Sequence, residues 1–105
     1  MESTPEYKIE ISDRARQMLT AHIVFLSGVS PDAARKVKKS IMDGIRSLET
    51  MPHRFPLLEA EFIPANKYHK MFIAKHYLLL YQIKNQTVYV DYIVDGRQDY
   101  QWLVR

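Results

Sequence analysis

The chain has 105 residues, a formal net charge of +3 and no cysteine. That length suits one domain, residues 1–105, whose single core needs no covalent staple, and the lack of cysteine excludes a disulfide framework, thiolate chemistry and cysteine-ligated metal. No apolar run approaches the roughly 20 residues of a membrane span, and the start MESTPEYK has neither the basic opening nor the apolar stretch of a signal peptide, so a cytoplasmic protein without membrane contact is expected.

Met1–Glu6 reads as a polar tail. Tyr7–Ser12 alternates strictly, with Tyr7, Ile9 and Ile11 on one side, and predicts a first strand. Ser12 or Asp13 then supplies a side-chain oxygen for the free amides of a helix start. Ala15, Met18, Leu19, Ile23 and Leu26 recur at three- and four-residue spacing, giving an apolar stripe to about Leu26, with Gly28 as the expected stop. Ser30-Pro31-Asp32 opens a second helix: a capping hydroxyl, a proline with no amide to leave unbonded, and an acid at the positive end of the dipole. Its stripe is Ala34, Val37, Ile41, Ile45 and Leu48. The opposite side carries Arg35, Lys36, Lys38, Lys39 and Arg46, which is either an ordinary solvated face or a basic ridge for phosphate or an acidic partner. A turn of about three residues would make the two helices an antiparallel hairpin able to lie across one face of a sheet.

Pro52 and Pro56 end the second helix and open an irregular segment, His53–Lys67, of a length more often functional than accidental. Three apolar runs follow, Tyr68–Ala74, Tyr77–Ile83 and Thr87–Val94, rich in the aromatic and branched residues that suit strands. The breaks, Lys75-His76 and Lys84-Asn85-Gln86, are too short for a parallel return, so the runs form a three-stranded antiparallel meander. Tyr77–Tyr81 is apolar throughout, as a central strand covered on both faces would be. In the third run Val88, Val90, Tyr92 and Val94 are expected on one face and Tyr89, Asp91, Ile93 and Asp95 on the other. Asp95–Asp99 reads as a turn before the closing Tyr100–Arg105. The expected fold is α+β: a small, largely antiparallel sheet, made of an N-terminal strand and the meander, covered by the helix hairpin. None of the four histidines is spaced from an acid as metal ligands on one helix would be, so no metal is expected.

Three stretches carry a family resemblance. Ile45–Pro56 has a Leu four residues before a Pro, with a second Pro soon after; Tyr77–Ile83 is similar to a "Y-R-x-x-Y-x-I" central strand; Asp95–Asp99 is similar to a basic turn after the last strand. With the order of elements, these make the chain, from Tyr7 to Val104, resemble the RelE/ParE superfamily of bacterial type II toxins. The resemblance implies a cognate antitoxin, no cofactor, and a toxin that is a homodimer or part of a toxin–antitoxin hetero-oligomer.

RelE-like members cleave messenger RNA on the ribosome without metal. Such chemistry needs a base for the 2′-hydroxyl, cations for the charge developing on phosphorus, and an acid for the leaving oxygen. On that reading His76, Arg97 and Lys70 are the catalytic candidates. His69, Lys75, Tyr100, Trp102, Arg35, Lys38 and Lys39 are candidates for RNA or partner contact, the two aromatic residues by stacking on a base or, alternatively, by packing on the sheet. Leu78 stands where many such members have arginine. His69 and Lys70 differ in strand parity, so the set converges only through a bulge. ParE-like members instead poison DNA gyrase by contact alone, and a third possibility is an inactive member that only binds antitoxin. The His76, Arg97 and Lys70 set and the basic ridge tilt the expectation toward the ribonuclease.

Overall fold

A computed structural model describes residues 6–59 and 67–96. The elements are β1 (Lys8–Ile11), α1 (Asp13–Val29), α2 (Pro31–Ser47), a 3-10 turn (Pro52–Arg54), β2 (His69–Ile73), β3 (Tyr77–Lys84) and β4 (Thr87–Asp95). The sheet order is β1-β4-β3-β2. β2, β3 and β4 form the expected antiparallel meander, and β1 lies parallel to β4. A parallel partner is possible here because the helix hairpin and the rest of the meander separate the two strands in the chain.

The helix hairpin covers one face of the sheet. Ala15, Ile41, Ile45 and Leu48 from the helices cluster with Met71, Tyr77, Leu79, Tyr81, Val88, Val90 and Ile93, and Tyr7, Ile9 and Ile11 flank them. On the second face Leu78, Leu80 and Val94 cluster with Leu58 and Tyr68. Both faces of β3 are therefore dry, which is why Tyr77–Tyr81 contains no polar position. Each such aliphatic side chain contributes about 1.5–3 kcal/mol by leaving water.

Three local expectations need correction. Gly28 does not stop α1, which continues to Val29. The connection is one residue rather than about three, because Ser30 serves both helices: its N–H donates to the Leu26 carbonyl while its hydroxyl accepts from the Ala33 N–H. The first hairpin break is Ala74-Lys75-His76 rather than Lys75-His76.

The face assignment of β4 also changes halfway along the strand. Leu80 pairs with Tyr92 but Tyr81 pairs with Val90, leaving Asp91 as an extra residue. Such a bulge inverts the alternation beyond it. Val88 and Val90 therefore join Ile93 under the helices, and Tyr92 and Val94 lie on the second face. Strict alternation would have placed Ile93 opposite to where it packs.

The helix end and the segment after it are held by polar contacts. Arg54 donates to the carbonyls of Thr50 (2.7 Å) and Met51 (3.0 Å) and to Ser47 Oγ (3.1 Å), which closes the C-terminus of α2. Leu58 N–H donates to the Tyr68 carbonyl and Lys70 N–H to the Pro56 carbonyl, so this stretch runs along the outer edge of β2. Part of the presumed irregular segment is thus ordered by pairing.

Candidate functional site

The sheet separates the expected site residues. His69 pairs with Tyr81 and lies on the helix-covered side, stacked on the Tyr81 ring at 5.3 Å. Its Nδ1 lies 2.7 Å from the Phe55 carbonyl, which can only accept, so the proton sits on Nδ1. The Tyr81 hydroxyl donates to the Pro52 carbonyl at 2.7 Å. His69 is thereby part of the packing that holds the 52–58 segment to the sheet. Lys70 pairs with Leu80 and so belongs to the second face. His76 is exposed in the β2–β3 turn, four residues along the chain from Leu80, about 13 Å away at the strand rise. Lys70 and His76 are not brought together by the backbone, and the bulge needed to gather such residues lies in β4, not β2. Arg97, Tyr100 and Trp102 lie outside the described residues.

The basic side of α2 is interleaved with acids. Arg35 and Lys36 each approach Asp32, and Lys39 and Arg46 each approach Asp43, at 2.7–3.8 Å. The Lys39 hydrogen bond holds the Asp43 carboxyl below its ordinary range. These exposed pairs contribute little to stability, and the two acids lower the formal charge of the ridge from +5 to +3. Lys38 instead borders a shallow groove of about 170 Å³ lined by Leu19, Thr20, Ile23 and Val24.

Two features that sequence reading missed are a carboxylate cluster and an exposed hairpin tip. On the second face, Asp91 Oδ2 accepts from the Gln82 amide (2.6 Å) and the Tyr68 hydroxyl (3.0 Å), while the Ser12 hydroxyl reaches the Asp91 carbonyl. Burial, and then the bond to Asp91, raise the Tyr68 phenol well above its ordinary pKa, so it stays a neutral donor. Arg14 lies over the Tyr92 ring at 4.7 Å beside this cluster. The arrangement holds the bulged residue in place. Only the bulge creates it, so strand alternation gave no signal. In the hairpin tip, Ala74 (φ 51°) and Lys75 (φ 71°) both occupy the left-handed region, at a cost of about 1–2 kcal/mol per residue. Beside them Phe72 is 59% exposed.

Apolar surface is also uncovered on α1, where Val24, Phe25 and Val29 are 64–73% exposed. Exposed apolar residues beside a groove are typical of surfaces that meet other proteins. Among the described residues no group of three or more histidines and acids could hold a metal ion, and no helix is long and apolar enough to cross a membrane.

The comparisons with known proteins agree with this architecture. The fold is similar to a solved structure described as "Chromosomal ParDE TA system from P. aeruginosa", with a TM-score of 0.70 and 12% identity over 88% of this chain and 98% of that one. At that identity the likeness is one of fold. No curated protein matches the sequence. The family model for the "ParE toxin of type II toxin-antitoxin system, parDE" matches residues 9–100. Covering both helices and all of the sheet but Lys8, that match makes the chain a member of the ParE toxin family of type II toxin–antitoxin systems.

Proposed function

We propose that this toxin acts in the cytoplasm by contact with DNA gyrase, with no chemistry of its own, and that an antitoxin encoded beside it neutralises it. The observation that carries the reading is the content of the second sheet face. Ribonucleolytic members need cations there to hold a phosphate; in this chain the middle of the face is Leu78, Leu80 and Val94 clustered with Leu58 and Tyr68, with Asp91 beyond them, and Lys70 and Arg14 lie to its sides. With these side chains buried and a carboxylate beside them, the face offers a phosphodiester no built site, which favours action by contact over cleavage. The separation of Lys70 from His76 points the same way, and so does membership of the ParE family. This reading replaces the ribonuclease favoured from sequence.

Pulse labelling after induction tests it. Thymidine incorporation is expected to fall before amino-acid incorporation, with broken DNA and intact messages. Protein synthesis failing first, with transcripts cut on ribosomes, would establish the ribonuclease instead.

A further inference from the structure

We propose that the β2–β3 hairpin tip, Phe72 flanked by Lys70, Lys75 and His76, is the surface with which the toxin grips its target. The partner it fits is a protein bearing an apolar pocket rimmed by carboxylates. The inference rests on the contact mechanism proposed above and assigns it a place on the molecule.

Three independent observations converge at the tip. Phe72 is a large aromatic side chain left 59% exposed, although it belongs to a strand whose neighbours Met71 and Leu78 are buried. It is also posed. Its ring lies near Gly96, where a Cβ would come 3.7 Å from the ring and 2.9 Å from the His76 carbonyl, so glycine is what lets the end of β4 approach the tip this closely. The Gly96 N–H donates to that same carbonyl and ties the turn to β4. Second, the backbone is strained: Ala74 and Lys75 hold positive φ without being glycine. Tight antiparallel turns adopt such angles, as Asn85 does in the β3–β4 turn, and here they fix the shape in which the tip is presented. Third, three cations lie along the strand and turn that carry the ring, with Asp95, opposite Tyr77, the acid at the same end of the sheet. Lys75 and His76 are exposed in the turn, and Lys70 shares the face of Phe72 two residues earlier along β2. No ion pair joins any of these three to an acid among the described residues.

An exposed ring amid unpaired cations is the composition of an interface centre and its rim. It differs from the cationic side of α2, where four of the five cations approach Asp32 or Asp43. The ring would enter the partner's pocket while the cations steer approach and set orientation.

The test uses the full chain as the parent, Phe72→Ala and Lys75→Glu proteins, with purified DNA gyrase and the antitoxin from the neighbouring gene as probes. Phe72→Ala is expected to lower gyrase affinity at least tenfold and to relieve growth arrest. Lys75→Glu should weaken binding most at low salt, since its contribution is electrostatic steering. Both proteins should still co-purify with antitoxin and melt with the parent. Parent-like gyrase binding by Phe72→Ala would overturn the assignment while leaving the contact mechanism standing. Loss of antitoxin binding with gyrase binding retained would overturn it too, by giving the tip to the antitoxin. A parent chain that fails to bind gyrase and stops translation first would remove both proposals.

Discussion

Tyr81 shows how much one hydroxyl can hold. Its ring fills the helix-covered core, and its only outlet is the bond to the Pro52 carbonyl, which fastens the segment after α2 to the central strand. Burial pushes the phenol up to about 12 from an ordinary 10.0. With the folded pKa above the unfolded one, this stability is complete below pH 10 and is lost as pH rises toward 12. Chemical denaturation at pH 8 and pH 11 should therefore show a marked loss at the higher pH. Tyr81→Phe should cost about 1–2 kcal/mol at pH 8, through the unbonded carbonyl. It should also make the alkaline fall shallower, with Tyr68, raised in the same direction, supplying the remainder. An unchanged alkaline slope in Tyr81→Phe would show that its ionisation is not linked to folding.

At the scale of elements, the two helical glycines give opposite expectations. A Cβ at Gly44 would collide with Ile73 Cδ1, so Ile73 must turn its side-chain end away for any other residue to stand where α2 crosses β2. Gly44→Ala should destabilise by about 1–3 kcal/mol through overpacking, despite alanine's better helix propensity. Around Gly28 a Cβ would meet nothing within 4 Å. Gly28→Ala should stabilise by up to about 1 kcal/mol, since only the propensity changes. Urea titration of the two variants measures both signs. Equal effects would mean that α2 can move off the sheet at small cost. The Asp91 bulge belongs to the same scale: one inserted residue turns Ile93 toward the helices and Val94 away from them.

For the whole molecule, the fold leaves three surfaces of different character. The helix hairpin exposes Val24, Phe25 and Val29 beside an apolar groove, the side of α2 carries cations partly offset by Asp32 and Asp43, and the β2–β3 tip carries an aromatic ring among cations. Family membership predicts that the chain alone halts bacterial growth and that the neighbouring antitoxin restores it. Induction with and without the antitoxin gene, scored as colony formation, checks this. Unimpaired growth at good soluble expression would mean that this member has kept the fold and lost the activity.

The strand, the helix hairpin, the meander and the dryness of β3 were legible in the sequence because each rests on local periodicity and capping chemistry. Tyr7–Ile11 alternates, Ser30-Pro31-Asp32 can only open a helix, and Tyr77–Tyr81 has no polar face to offer water. Those patterns also sufficed for the family resemblance, which depends on the order of elements. The site was not legible, because nearness between strands is set by register. Whether Lys70 meets His76, which side of β4 Ile93 takes, and whether Asp91 finds Tyr68 and Gln82 all depend on pairing and on one bulge. A single inserted residue reverses every face assignment beyond it, and no local propensity in Thr87–Asp95 records where that insertion falls.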